Sequence, residues 1–239
     1  MTTGRIDIHS HLLPNLDDGC QSLEESLACA RAMVAAGYTH SFCTPHVWTS
    51  LPNNNVSKIP IAMRNLQLAL DDAVIPLKLL PGGENNFTEL QGLWEADLVT
   101  YNMAGHYVLA DIWVEAMPSY FYEQVKRLQD RGLTVVLAHP ERMRAVQERP
   151  DLADEFADLG LLLQGNLQCF GDPPHALTRQ VAELYLSEGR YTFLGSDLHN
   201  LKSLPIRLNG LKNAISLVGN EVVDQLTITN PQRLIHGIS

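Results

Sequence analysis

The sequence predicts an incomplete α/β barrel, on three observations. Short β-rich runs alternate with longer segments of helical period, which is the sequence form of repeated βα units around a parallel sheet. The uncommon polar residues fall almost entirely at the C-terminal ends of those runs, where a parallel barrel builds its sites. The length, 239 residues, suits one such barrel closing as a single domain spanning residues 1–239.

Seven strands are expected, over Arg5–His9, Thr39–Cys43, Leu77–Leu80, Tyr107–Val114, Thr134–Ala138, Leu161–Gln164 and Tyr191–Leu194. The clearest helix begins at Ser22, where Ser-Leu-Glu-Glu makes a capping box with Glu25, and stops at Gly37. Further helices are expected over Ile61–Asp72, Ser119–Asp130, Ala176–Ser187 and Leu208–Val218. The stretch Leu51–Pro60, with its Pro-Asn-Asn-Asn run, reads as a loop beside the second strand. No fixed-period repeat and no Pro- or Gly/Ser-rich linker divides the chain.

Composition narrows the class of function. The chain is 45% hydrophobic and 18% charged, as globular proteins are, with no single-sign charge run. Its formal net charge of -10 would repel a phosphate backbone, so nucleic acid is not expected as the main partner. Any phosphate chemistry must therefore bring its own cations. The four cysteines, Cys20, Cys29, Cys43 and Cys169, are widely spaced and read as free thiols. No apolar run approaches the roughly 20 residues needed to span a bilayer, and Met-Thr-Thr-Gly-Arg leads straight into a polar motif. A cytoplasmic protein without membrane insertion is expected.

The strand ends carry the chemistry. His9 and His11 follow the first strand, Thr44-Pro45-His46 the second, Gly82-Gly83-Glu84 the third, and Asp111 lies late in the fourth. Ala138-His139-Pro140-Glu141-Arg142 follows the fifth, and Gly195-Ser196-Asp197-Leu198-His199-Asn200 the last. In extended chain, residues two apart share a side, so His9 with His11, and Asp197 with His199, each present two ligands to one cation. Imidazole with carboxylate, and no cysteine in the set, favours manganese, iron or zinc over calcium. Glu84 is the candidate bridge between two cations; between such cations a water loses its proton near neutral pH. The expected enzyme is thus a hydrolase in which metal-bound hydroxide, and no protein side chain, attacks phosphorus. None of the cysteines opens the glycine-rich, arginine-ended loop that a thiolate phosphatase requires.

Other polar residues have plainer readings. His40, His106, His175 and His236 lie outside these motifs and are read as surface or core histidines. Asp7 either orients a ligand or makes a buried hydrogen bond at the barrel rim. Asp17 and Asp18 precede Gly19, so a turn and a ligand role stand equally for Asp18. Arg142, three residues after His139, is a candidate phosphate contact, with a surface ion pair as the alternative. Trp48, Trp94 and Trp113 are read as packing residues.

In order along the chain, these motifs resemble the polymerase and histidinol phosphatase (PHP) superfamily, and within it the bacterial manganese-dependent protein-tyrosine phosphatases of capsule and exopolysaccharide loci. The closest stretch is Asp7-Ile8-His9-Ser10-His11-Leu12-Leu13-Pro14 running into Asp17-Asp18-Gly19, and Asn230-Pro231 looks like the family's closing helix start. The resemblance implies a distorted (β/α)7 barrel with three divalent metals. It would place His9, His11, Glu84 and Asp197 on one, Glu84, Asp111 and His139 on a second, and Asp18, His46 and His199 on a third, with Arg142 on the phosphate. It implies as substrate a phosphotyrosine-bearing protein, a tyrosine autokinase controlling polysaccharide export. Two positions depart from the pattern. Asp111 stands where this branch usually has glutamate, and Leu204, between Lys202 and Arg207, stands where an arginine is usual. A phosphatase of small molecules such as histidinol phosphate, and a non-catalytic binding module, are the competing readings.

Overall fold

The computed structural model describes residues 4–88 and 98–236, and Trp94 lies outside them. Strand β1 (Arg5–Ser10) is followed by helix α1 (Leu23–Ala35), β2 (Tyr38–Cys43), β3 (His46–Val47), α2 (Ile59–Asp72), β4 (Lys78–Pro81) and β5 (Glu84–Asn86). Next come β6 (Tyr107–Asp111), α3 (Ser119–Gln129), β7 (Thr134–Ala138), α4 (Arg144–Glu148), α5 (Leu152–Asp158) and β8 (Leu162–Asn166). The chain continues through α6 (Leu167–Gly171), α7 (Leu177–Ser187), β9 (Phe193–Gly195), α8 (Leu204–Val218), α9 (Asn220–Asp224) and α10 (Gln232–His236).

The paired strands form two parallel ladders, β1-β2-β4 and β3-β5-β6-β7-β8-β9. The strand count exceeds the expected seven because two strands are broken in the middle. Pro45 separates β2 from β3 and has no N–H for a ladder, while Gly82-Gly83 separates β4 from β5. Gly82 N donates to Cys43 O (3.0 Å) and Glu84 N to Pro45 O (3.0 Å), so the two broken paths stay side by side across the gap. At the remaining seam β9 meets β1 through Asp197 N to His9 O (2.7 Å), His11 N to Leu198 O (2.8 Å) and the bridge Ser10–Leu198. Seven strand positions therefore run round an incomplete barrel, as the sequence predicts.

Side-chain alternation divides the core. Tyr107 and Leu109 of β6 and Val136 and Ala138 of β7 join Ile6, Ile8, Phe42 and Phe193 in one cluster. Residues from so many strands meet only inside the barrel. The alternate residues Val108, Ala110, Val135 and Leu137 face outward and pack with Phe121, Val125 and Leu128. These last three recur at the spacing of one face of α3, which is why that segment forms an amphipathic helix against the sheet. A separate cluster holds α1 and α2 against β2 and β4 through Met33, Cys29, Leu66, Leu70, Cys43 and Leu79.

Several element boundaries differ from expectation. Ser22 Oγ does accept from Glu25 N (3.2 Å), but Glu25 Oε2 reaches Gln21 N, so the capping box is displaced by one residue. Strand β6 ends at Asp111 instead of Val114, which leaves Trp113 53% exposed. Helix α8 starts at Leu204, four residues early, because the Asn200 side chain caps the preceding turn and Pro205 suits a first helical turn. Helices α4, α5, α6 and α9 were not expected; at five to seven residues each they are too short to display a period. Among the described residues, no helix is long and apolar enough to cross a membrane.

Candidate metal centre

The site grows out of the seam. The β1–β2 register shifts between Asp7 and Ser10, so the simple alternation that would align Asp7 with His9 is broken. Asp7 is buried and committed to β9: its Oδ1 accepts from Ser196 N (2.8 Å) and its Oδ2 from Ser196 Oγ. The hydrogen-bonding reading of Asp7 is thus the one the structure supports. Two predicted site residues adopt left-handed backbone, His139 at φ 35° and Asp197 at φ 51°. Such conformations cost on the order of 1–3 kcal/mol each and persist where surrounding structure demands them. Gly19 is needed for a different reason. A Cβ there would lie 2.3 Å from His11 O, so only glycine lets the Asp17-Asp18 loop lie on the end of β1.

Four donor atoms converge behind that loop. His9 Nε2 lies 3.3 Å from Glu84 Oε2 and 3.4 Å from Asp197 Oδ1; His11 Nε2 lies 3.5 Å and 3.3 Å from the same two oxygens. The two imidazole nitrogens are 3.3 Å apart. Donors about 2.0–2.2 Å from a common tetrahedral centre are separated by about 3.4 Å, so the mutual spacing of His9 Nε2, His11 Nε2 and Glu84 Oε2 fits a transition-metal ion, with Asp197 Oδ1 beside the two imidazoles. Glu84 faces two ways, because its Oε1 lies 2.9 Å from His139 Nε2. A second group sits beside the first: Asp18 Oδ1 is 3.3 Å from His46 Nε2 and 3.4 Å from His199 Nε2, with His11 also within reach. Three buried atoms here, His46 Nδ1, Glu84 Oε2 and Asp111 Oδ1, have no hydrogen-bond partner. His46 Nδ1 and Glu84 Oε2 are only 2.9 Å apart yet lack hydrogen-bond geometry. Buried polar atoms left without hydrogen bonds are costly without a cation, and this donor set fits one.

A second layer of residues, unassigned from sequence, holds the imidazoles and carboxylates in place. Asp17 Oδ2 accepts from His11 Nδ1 (2.7 Å) and from His46 N (2.9 Å), the carboxylate–histidine pairing that fixes a ring and its tautomer. Gln164 Oε1 faces His9 Nδ1 at 2.9 Å, and Asn166 Nδ2 donates to Asp197 Oδ2 (2.8 Å). A signal for the last two was present. Gln164 and Asn166 end β8 at the same two-residue spacing as His9 and His11, on the one expected strand with no assigned site residue. Glu141, fully buried, accepts from Asn166 N (2.7 Å) and Tyr191 OH (2.9 Å).

Arg142 is neither a surface ion pair nor free. Its Nη1 donates to Asp197 Oδ2 (2.9 Å), and its guanidinium lies 4.8 Å from the centre of the Trp113 ring. Two tryptophans read as packing residues flank the site instead, because each lies just past the end of a strand. Trp48 stacks on His46 with centroids 4.1 Å apart, and Trp113 donates through Nε1 to Asp111 Oδ2 (2.7 Å). Leu204 is buried in the core, and Arg207 is spent on the carbonyls of Ser196 and Asp197. His40, His106, His175 and His236 stand outside the donor groups. A surface cleft of about 430 Å³ opens beside Asp18 and His46, and Trp48 lines both it and a second of about 550 Å³ bounded by Pro52, Val56 and Lys58.

The electrostatics follow from packing acids against imidazoles out of water. Burial opposes charge on His46, but Asp18 and Glu84 prevail and raise it to about 9. Burial likewise opposes charge on His11, and Asp17 and Asp197 raise it well above the ordinary histidine range. Burial would raise Glu84, yet His9 and His139 hold it well below the carboxylate range; burial is overridden at Asp197 in the same way by His9 and His11. Asp18, bonded to His46, is lowered to about 2. Asp111 goes the other way, pushed up to about 8 by burial and by Glu84.

Comparison with known proteins gives a consistent picture. The family described as "Capsular polysaccharide synthesis, CpsB/CapC" matches residues 5–236. The chain is 32% identical to the tyrosine-protein phosphatase YwqE of Bacillus subtilis (strain 168) over 206 residues, covering 83% of this chain and 78% of that protein. It is 27% identical to the tyrosine-protein phosphatase CpsB of Streptococcus agalactiae serotype V, covering 96% and 98% of the two. Among solved structures, one from a study of YwqE from Bacillus subtilis and CpsB from Streptococcus pneumoniae superposes with a TM-score of 0.88 at 27% identity. It covers 98% of this chain and 95% of that one, and the study describes those proteins as unique metal-dependent tyrosine phosphatases. The Escherichia coli phosphotriesterase homology protein, at 13% identity and a TM-score of 0.58, shares the fold alone.

Proposed function

The chain belongs to the CpsB/CapC family of capsular polysaccharide synthesis proteins, and from that premise we propose that it is a metal-dependent protein-tyrosine phosphatase acting on phosphotyrosine. The observation that carries this reading is the convergence of His9, His11 and Glu84 at 3.3–3.5 Å, with Asp197 3.3–3.4 Å from both imidazoles, beside His139 on one side and Asp18, His46 and His199 on the other. Those nine positions, counting Asp111, would hold up to three divalent ions, manganese foremost, with iron or zinc as alternatives. When bound, such ions act as Lewis acids that activate water and neutralise phosphoryl oxygens. The chain's own groups do the rest. Asp17 and Gln164 fix the His11 and His9 rings, Glu84 links two parts of the centre, and Arg142 offers a charged fork to the phosphate.

The proposed partner is a phosphotyrosine segment of a bacterial tyrosine autokinase, met in the cytoplasm by a single catalytic domain. Support comes from the capsule-synthesis family, from the two clefts that Trp48 lines, where an extended segment has room, and from four free, buried cysteines, which suit a reducing compartment. The test compares kcat/KM on phosphotyrosine peptides, phosphoserine peptides and histidinol phosphate, with metal analysis of the purified protein. A preference for phosphotyrosine peptide is expected; faster turnover of histidinol phosphate would overturn the protein-phosphatase reading.

Metal uptake should depend on pH with a definite sign. A ligating imidazole must be neutral, and His46 in the metal-free protein keeps its proton up to about 9. Cations therefore displace protons below that pH, and affinity should rise from pH 6.5 and level off above about 9. Asp18, held near 2, is ionised throughout and adds no slope. Manganese titration calorimetry in buffers of different ionisation enthalpy would count the released protons. A flat affinity across that window would remove His46 from the ligand set.

A further inference from the structure

Trp113 lies two residues past the end of β6 and is 53% exposed, so it contributes little to the core. Both chemically distinctive parts of its ring are nevertheless in use. The indole N–H donates to Asp111 Oδ2 at 2.7 Å, and the ring lies 4.8 Å below the Arg142 guanidinium, with its centroid 6.0 Å from that of His139. The other oxygen of the same carboxylate, Asp111 Oδ1, is buried with no hydrogen-bond partner. An aspartate held by one oxygen only can present the other in one direction. Arg142 in turn has one carboxylate contact, Asp197 Oδ2, and its side chain is 33% exposed, so the ring face restricts an otherwise mobile arm.

We propose that Trp113 is a positioning residue of the centre: its N–H turns Asp111 Oδ1 toward a divalent cation, and its ring face holds Arg142 toward the phosphoryl group. The Asp111 half rests on metal binding alone, and only the Arg142 half rests on the phosphatase reading. A single exposed side chain thereby ties a metal ligand to the phosphate contact. The tie also accounts for how an aspartate serves at this position, since a short carboxylate has little freedom to find its cation unaided.

Two substitutions separate the halves. Trp113→Phe keeps an aromatic face and removes the N–H; manganese affinity by calorimetry should fall about 10–100-fold. Inorganic phosphate should still bind the manganese-saturated variant within about threefold of wild type. Trp113→Leu removes both contacts and should weaken phosphate binding by a further two- to fivefold or so. In an Arg142→Ala background that further loss should disappear, which a merely structural role would not produce. Circular dichroism and thermal melting verify that each variant is folded. Wild-type manganese affinity in folded Trp113→Phe overturns the Asp111 half, and equal phosphate affinity in the Phe and Leu variants overturns the Arg142 half. Neither titration needs turnover, so a wild-type protein inactive on aryl phosphates would refute the proposed function while leaving this inference separately readable.

Discussion

Exhaustive removal of divalent cations is expected to abolish hydrolysis of an aryl phosphate, and re-addition of manganese to restore it. The physical reason lies in the side chains available. The four cysteines are all buried in hydrophobic clusters and none belongs to the donor groups. Burial pushes the Cys43 and Cys169 thiols up, and Cys20, lowered by its contact with Cys29, is packed with it in the core, so the centre has no thiolate among its donors to attack phosphorus. The sharper version of the test is Glu84→Gln. Glu84 is fully buried, its Oε2 serves the His9–His11 group, and its Oε1 faces His139, so one neutralised carboxylate disturbs two parts of the site at once. We expect kcat/KM to fall at least about a thousandfold, ~4 kcal/mol, together with bound metal. A folded Glu84→Gln protein that keeps its metal and more than a tenth of wild-type activity would sink the assignment of Glu84 as a bridge. Turnover by a protein verified to be free of metal would sink the mechanism itself.

Arg142→Ala is expected to cost about 2–4 kcal/mol in kcat/KM, by analogy with loss of one preorganised donor. Metal content should change little, because Asp197 Oδ2 keeps its hydrogen bond from Asn166 when the arginine is gone. Arg142→Lys should recover part of the loss, since an ammonium keeps the charge without the planar fork. The structure makes the ion-pair alternative less simple than sequence suggests. Arg142 is already paired, but with a candidate metal ligand and over an aromatic face, so its charge is delivered to the centre and not to solvent. Steady-state kinetics with metal analysis on wild type and both variants separates the cases. Near-wild-type kcat/KM in fully metallated Arg142→Ala would remove the phosphate contact, and Arg207, committed to backbone carbonyls, is not free to replace it.

What the sequence determined by itself was the periodic part of the molecule and the residues two apart at strand ends. Alternation of strand and helix period encodes which side chains are buried, so seven strand positions and the amphipathic face of α3 are legible without coordinates. His9 with His11, and Asp197 with His199, are legible because a strand places alternate residues together and a parallel barrel gathers strand ends. Tertiary structure alone decided the rest, because it depends on contacts between residues far apart in the chain. Asp17 read as a turn residue until the Gly19 loop folded back over β1 and set its carboxylate on the His11 ring. Trp48 and Trp113 read as packing residues, since hydrophobicity says that a ring seeks cover but not whether a core or a ligand provides it. Asp7 shared the parity of His9 in sequence, but the β1–β2 register shifts between Asp7 and Ser10, and the Asp7 carboxylate is taken up by Ser196. The left-handed backbone at His139 and Asp197 belongs to the same class: aspartate and histidine tolerate it better than most residues, but it is the hydrogen bonds of Asp197 N to His9 O across the seam and of His139 N to Gln164 O on β8 that hold it.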